Sequence, residues 1–253
     1  SEHAFRGCDG LEYVTVPSSV VSIGPGAFSG CASLRSLTFS GSGDLVLEGG
    51  SAIFDDPEGV TIINALSGRL SISAGMVGGK GIDRAEPGAA IVFEHGEWTE
   101  AYVFSFDGDS VSKVSSRGSY SGVLTIPSNV SVVCGGSNSQ MFGFDKSWVE
   151  SVRVPFGVTA IGNNAFSGCS SMVSVEIPST VTSIGSNAFS SCSSLKSIDL
   201  PEGLRTLGRN AFANCRSIES VAVPAGVSDI SAVFSGRSST SVRATLTDSA
   251  AWP

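Results

Sequence analysis

The chain has 253 residues, 31 of them glycine, with 41% hydrophobic and 15% charged side chains, a composition that can bury a sizeable core and excludes a disordered acidic tail or a coiled coil. Its net charge of −8 and pI near 4.7 give no field that draws phosphate backbones or anionic lipid, so nucleic acid is excluded as a partner. The sequence holds no apolar run of the roughly 18 residues that membrane insertion needs, and the N-terminal Ser1-Glu2-His3 is not a secretion signal.

In chain order, the first feature is a repeat. Ala4-Phe5-Arg6-Gly7-Cys8 returns as Ala27-Phe28-Ser29-Gly30-Cys31, and Pro17 is answered by Ser40, so 1–40 is a first block of repeats. Because the chain begins part-way through a unit, it reads as a fragment, and further repeats are expected upstream. Residues 41–121 carry no clean copy. One 23-residue step from Phe39 lands on Ile62 in VTIIN, and one step back from Ile126 lands on Val103 in AYVFSF, so the edges of this gap keep phase. The segment reads first as decayed repeats. The alternative is an antiparallel hairpin of AIVFEHG and AYVFSFDG, projecting through the Gly-rich SAGMVGGKG.

A second block, 122–253, opens with a partial unit at Val123 to Val133 and then becomes regular. Cys169, Cys192 and Cys215 are spaced by 23, as are Phe166, Phe189 and Phe212, and Pro155, Pro178, Pro201 and Pro224. No unit of this length can bury its own apolar positions, but identical units stacked at strand spacing, about 4.8 Å, bury them against one another, and a solenoid follows. Leu195, Ile198 and Leu200 have the spacing of a short strand that Pro201 ends, since proline brings no N–H to a ladder. Gly162, Gly185 and Gly208 mark a corner that needs either positive φ or close backbone approach. The column Asn164, Asn187 and Asn210 bonds neighbouring backbone or takes a left-handed turn. At the end, VRATL at 242–246 reads as a terminal strand or cap that shields an open sheet edge.

The pattern LxxIxLPxxVxxIGxxAFxxC resembles the BspA-like leucine-rich repeats of bacterial surface proteins. Five units fit, over about 1–40 and 149–234; they lack the asparagine of the common LxxLxLxxN repeat, and Cys134 replaces one corner glycine. The resemblance implies a β-rich solenoid, a leucine-rich-repeat right-handed superhelix of short parallel strands with little α-helix. It also implies an extracellular or cell-surface adhesin that binds proteins of a host or a neighbouring cell.

Catalysis has little to draw on. His95 stands in Glu94-His95-Gly96-Glu97 without HExxH spacing or a second histidine to join it, so a solvated acidic turn is favoured over a metal or sugar site. Asp107-Gly108-Asp109-Ser110 opens like a calcium loop but has Val111 and Gly118 where oxygen ligands belong, which favours a turn. Gly78-Gly79-Lys80-Gly81 lacks the leading glycine and the following hydroxyl of a phosphate loop. The expectation is therefore no enzyme, no cofactor and no metal.

Six cysteines invite disulfides, yet three in register cannot all pair, so they are expected reduced, with Cys8 and Cys31 closest to the opposite outcome and Cys134 out of phase. If strands follow LxxIxLP, three columns face outward. They read Glu12, Arg35, Glu150, Val173, Lys196 and Glu219; Tyr13, Ser36, Ser151, Ser174, Ser197 and Ser220; and Thr15, Thr38, Thr125, Arg153, Glu176, Asp199 and Ala222. From these come the candidate binding residues Arg153, Glu176, Lys196 and Asp199. The aromatic-rich middle adds Trp98, Tyr102 and Phe104. The expected partner is a protein on a host or neighbouring cell surface. The alternatives are self-association through the solenoid ends, as in a filament or surface layer, and a glycan-binding accessory domain around Trp98.

Overall fold

A computed structural model describes residues 3–47, 53–55, 60–73, 82–94, 97–116, 120–133, 146–228, 232–234 and 243–247. It is a β-solenoid with no helix among the described residues. Contacts divide the chain into two compact units, Ser1–Phe104 with Pro127–Asn129, and Ser105–Ile126 with Val130–Pro253, a division that differs from blocks bounded at 40 and 121.

In the first unit, β1 (Tyr13–Pro17), β2 (Ser36–Gly41) and β4 (Thr61–Leu66) pair in parallel, and β3 (Leu45–Leu47) pairs in parallel with β5 (Leu70–Ile72). From β1 to β2 the step is 23 residues, because Tyr13 faces Ser36, but from β2 to β4 Phe39 faces Asn64, not Ile62. The coil is two residues longer than the sequence pattern gives. Because side chains alternate along a strand, an even slip keeps Leu37 and Ile62 on the same buried face. Asn64 thereby lands inward with no solvent access. Its Nδ2 donates to Gly68 O at 3.1 Å and Ala85 O at 2.8 Å, and its Oδ1 accepts the Leu66 N–H at 3.0 Å, so the buried amide is satisfied.

Beyond Ile72 the parallel rule stops. β6 (Ile82–Ala85) runs antiparallel to β5, β7 (Ala89–Glu94) antiparallel to β4, and β8 (Glu97–Asp107) antiparallel to β7. Coils thus continue through 72, and the AIVFEHG and AYVFSFDG segments form a hairpin that lies in the sheet, in the order β1-β2-β4-β7-β8. Val103 faces Ala89 in this hairpin, so its phase with Ile126 carries no pairing.

The second unit repeats regularly. β10 (Gly122–Thr125), β12 (Val149–Arg153) and β14 (Ser174–Glu176) form one parallel ladder on the LxxIxL stretch. A second ladder, outside the expected strand positions, runs along the VxxIG stretch: β9 (Ser110–Ser116), β11 (Val132–Val133), β13 (Ala160–Ile161), β15 (Ser183–Ile184) and β16 (Thr206–Leu207). The last described coil pairs β17 (Ser220–Pro224) with β18 (Arg243–Thr247), which is the expected terminal strand.

The third side of each coil is a double turn, and its conformation explains the polar columns. Asn164, Asn187 and Asn210 have φ between 55° and 60°, and His3 and Gly26 hold the same left-handed position in the first unit. Four residues later comes a second left-handed column of Gly7, Gly30, Gly168, Ser191 and Asn214. The corner glycines have the other role. A Cβ on Gly185 would lie 2.6 Å from Asn163 N, and one on Gly208 2.3 Å from Ser186 N, so close approach rather than positive φ demands glycine there.

Between these turns the rings stack, Phe166 on Phe189 at 5.3 Å and Phe189 on Phe212 at 5.5 Å, all fully buried. Hydrogen bonds fix the stack in the same sense at every step: Phe166 N–H donates to Ala188 O at 2.7 Å and Phe189 N–H to Ala211 O at 2.9 Å.

Candidate functional site

The residues available to a partner are those the ladders leave outward. In the second unit, β12 and β14 bury Val152 and Val175, and alternation turns Arg153 and Glu176 out as register neighbours. Arg153 Nε lies 4.0 Å from Glu176 Oε1, with side-chain exposures of 19% and 60%. The next coil holds the same path without regular strand pairing, through the Lys196 N–H to Val173 O bond at 3.4 Å. Leu195, Ile198 and Leu200 are buried there, so Lys196 and Asp199 face solvent. These coils therefore carry a ridge of mixed charge formed by Arg153, Glu176, Lys196 and Asp199.

One residue of this region was missed in the sequence. Phe156, in the turn after β12, is 68% exposed, whereas Ser179, Glu202 and Ala225 hold its place in later coils. A large ring in a column of small or polar residues is the signal that marks it. Val173, 43% exposed beside β14, adds a second apolar spot.

The other candidates fall elsewhere. Tyr102 and Phe104 are corrected from binding residues to core: both are buried on β8, packed edge to face with ring centroids 5.4 Å apart. They replace apolar positions that the repeat no longer supplies. Trp98 faces Phe93 in the β7–β8 register, and its side chain lies outside the described residues, as do His95, Cys134 and Gly78 to Gly81.

In the first unit the outward columns hold at Glu12 and Thr15, which are exposed, and fail at Ser36 and Thr38, which are fully buried. Ser128 N–H donates to Thr38 Oγ1 at 3.2 Å, and the Ser128 and Thr15 hydroxyls bond each other at 2.8 Å. Thr125 is buried too. The Asp107-Gly108-Asp109-Ser110 stretch is a tight turn with Gly108 at φ 59°, and Asp109 accepts from both the backbone and the hydroxyl of Ser131.

The cysteines form a hydrogen-bonded column. Cys192 Sγ donates to Phe166 O at 3.2 Å and Cys215 Sγ to Phe189 O at 3.0 Å, each reaching the preceding coil. Burial pushes the Cys169 thiol up to about 12, with the Lys146 ammonium pulling the other way. The hydrogen bond with Cys215, followed by burial, pushes the Cys192 thiol up as well. Neutral thiols of this kind are poor nucleophiles. Among the described residues no three His, Cys, Asp or Glu side chains converge on a point where they could hold a metal ion.

Comparison with known proteins places this pattern. The model of the BspA type leucine rich repeat region matches in six copies, over residues 1–72 and 138–248. Among solved structures, a leucine rich cell surface protein of Faecalibacterium prausnitzii is 23% identical, with 89% of this chain and 57% of that one covered and a TM-score of 0.39. A leucine rich repeat protein of T. pallidum is 26% identical over 51% of this chain and 60% of that one, with a TM-score of 0.39. The pneumococcal vaccine antigen PcpA is 18% identical over 85% and 51%, with a TM-score of 0.41. The chain thus spans between half and three-fifths of the length of these proteins. No curated protein matches the sequence.

Proposed function

The chain belongs to the BspA-type leucine-rich repeat family, and from that premise we propose that it is a non-enzymatic protein-interaction module of a cell-surface or secreted protein, an adhesin whose partner is a protein on a host or neighbouring cell. The observation that carries this reading is the ridge of exposed Glu176, Lys196 and Asp199 beside the half-buried Arg153, with the exposed Phe156 at its edge. Arginine and aromatic side chains dominate the energetics of interfaces, and a coil face whose interior is fully packed presents them at little cost in order. Mixed charge favours selectivity among partners over bulk attraction.

The test is binding of the whole chain to immobilised extracellular-matrix proteins and to whole cells, beside a variant carrying Arg153→Glu and Phe156→Ser. A specific signal that falls at least about tenfold in the variant, whose circular dichroism is unchanged, supports the reading. Equal binding by both proteins defeats it.

A further inference from the structure

The turn that carries Phe156 is built unlike its counterparts. In four successive coils of the second unit a tight turn follows the LxxIxL stretch. These turns are closed by Val158 N–H to Pro155 O at 3.3 Å, Val181 N–H to Pro178 O at 3.1 Å, Leu204 N–H to Pro201 O at 2.9 Å and Val227 N–H to Pro224 O at 3.0 Å. The third turn residue is in turn Gly157, Thr180, Gly203 and Gly226, at 23-residue steps. Among the described residues of these four turns only Gly157 is left-handed, at φ 108°, a conformation that favours glycine.

A hydroxyl of the next coil holds that same turn. Gly157 N–H donates to Thr180 Oγ1 at 3.2 Å, and Thr180 Oγ1 donates to Val158 O at 2.8 Å, so one side chain fixes the backbone on both sides of the glycine. In the following two coils the clamping position is Gly203 and Gly226, which bring no hydroxyl. Pro155 and Val158 are buried at the two ends of the turn, while Phe156 between them is 68% exposed. A large ring is therefore held out in water by a turn fixed at a proline, at a left-handed glycine and at a clamp. An exposed ring adds little to the packing of its own coil. Held in place, it enters a pocket without the ordering cost of a loose loop, which is the property of an interface anchor.

We infer, resting on the interaction reading above, that the Pro155–Val158 turn is a preformed anchor, that Phe156 enters an apolar pocket on a protein partner, and that Thr180 is its positioning residue. Thr180 touches no partner in this arrangement. It acts through the turn, by keeping the ring in the orientation that the pocket receives. Lipid is the weaker fit, since one ring on a chain of net charge −8 has little hold on a bilayer.

The experiment compares the whole chain with Thr180→Val, Thr180→Ser, Phe156→Ala and the double variant of Phe156→Ala with Thr180→Val. In the free chain, amide exchange at Gly157 is expected to quicken at least about fivefold in Thr180→Val and to stay unchanged in Thr180→Ser, which keeps the hydroxyl. The binding probes are immobilised extracellular-matrix proteins and whole cells. Thr180→Val is expected to weaken the specific signal at least about threefold and Phe156→Ala at least about tenfold, while Thr180→Ser keeps it. The double variant should bind no more weakly than Phe156→Ala alone, because a residue that acts through Phe156 has nothing left to act on. Four outcomes overturn this inference alone: unchanged Gly157 exchange in Thr180→Val, binding that falls in Phe156→Ala but not in Thr180→Val, a further loss in the double variant, or Phe156-dependent retention on phosphatidylcholine vesicles. A parent chain that binds none of the proteins or cells overturns it together with the interaction reading.

Discussion

Two stretches of the chain answer differently to the same repeat. From Ala160 to Leu207 the steps are 23 residues, the Phe rings stack at 5.3 and 5.5 Å, and both left-handed columns are occupied. From Phe28 to Glu94 one coil takes 25 residues, Phe28 and Phe54 stand 6.1 Å apart with a 27° tilt, and the chain then turns antiparallel. What survives in the second stretch is the strand face, because a two-residue insertion conserves side-chain alternation. On the turn side the Phe28–Phe54 stack and the Phe28 N–H to Ile53 O bond at 2.8 Å survive too, while beyond Cys31 the Cys and Asn of the motif are absent from that stretch of the sequence.

The largest test of that contrast is a pair of truncations. Phe189→Ala, in the regular stack, is expected to cost roughly 3–5 kcal/mol in urea unfolding, and Phe5→Ala, at a ring 43% exposed, about 1 kcal/mol or less. Equal costs would mean that the ladder is not cooperative in the way its stacking implies. Next comes the irregular coil. Asn64→Leu restores the apolar pattern yet strips partners from the part-buried Gly68 carbonyl, the buried Ala85 carbonyl and the Leu66 N–H, so a loss of roughly 2–4 kcal/mol is expected, and a gain in stability would show those groups finding water.

The buried cysteines sharpen the comparison through pH. The Cys169 thiol ionises near 9.0 when unfolded and only at about 12 when folded, so its contribution to stability is complete below the lower value and is lost as pH rises between the two. The expected slope is about −1.4 kcal/mol per pH unit for that thiol, with Cys192 shifted in the same direction. Urea unfolding at several alkaline pH values measures it, and Cys169→Ala should flatten it by one proton. The smallest effect belongs to the surface. Glu176→Lys removes a partly exposed ion pair at 4.0 Å and is expected to change stability by less than about 0.5 kcal/mol, while altering partner binding on the ridge.

Much of the architecture was legible because a repeat states each rule several times. The Leu, Ile and Phe columns, the left-handed asparagines and the solenoid itself follow from residues that return at one spacing and cannot be buried alone. The strands on the VxxIG stretch were not legible, since two-residue bridges such as Ala160–Ile161 leave no alternation to read. The candidate site was legible in part. Arg153, Glu176, Lys196 and Asp199 sit where alternation puts them, and Phe156 stood out only against its own column.

The sequence by itself determined the coil, its buried columns and the polarity of its faces, because these depend on local spacing and on one stacking translation. Only the tertiary structure decided which repeats kept that translation. It slipped Asn64 inward by two residues, folded AIVF and AYVF antiparallel with Tyr102 and Phe104 in the core, and buried Thr38 with the Ser128 N–H bonded to its hydroxyl. Each of those outcomes rests on contacts between residues far apart in the chain, where burial and hydrogen bonding override the local period.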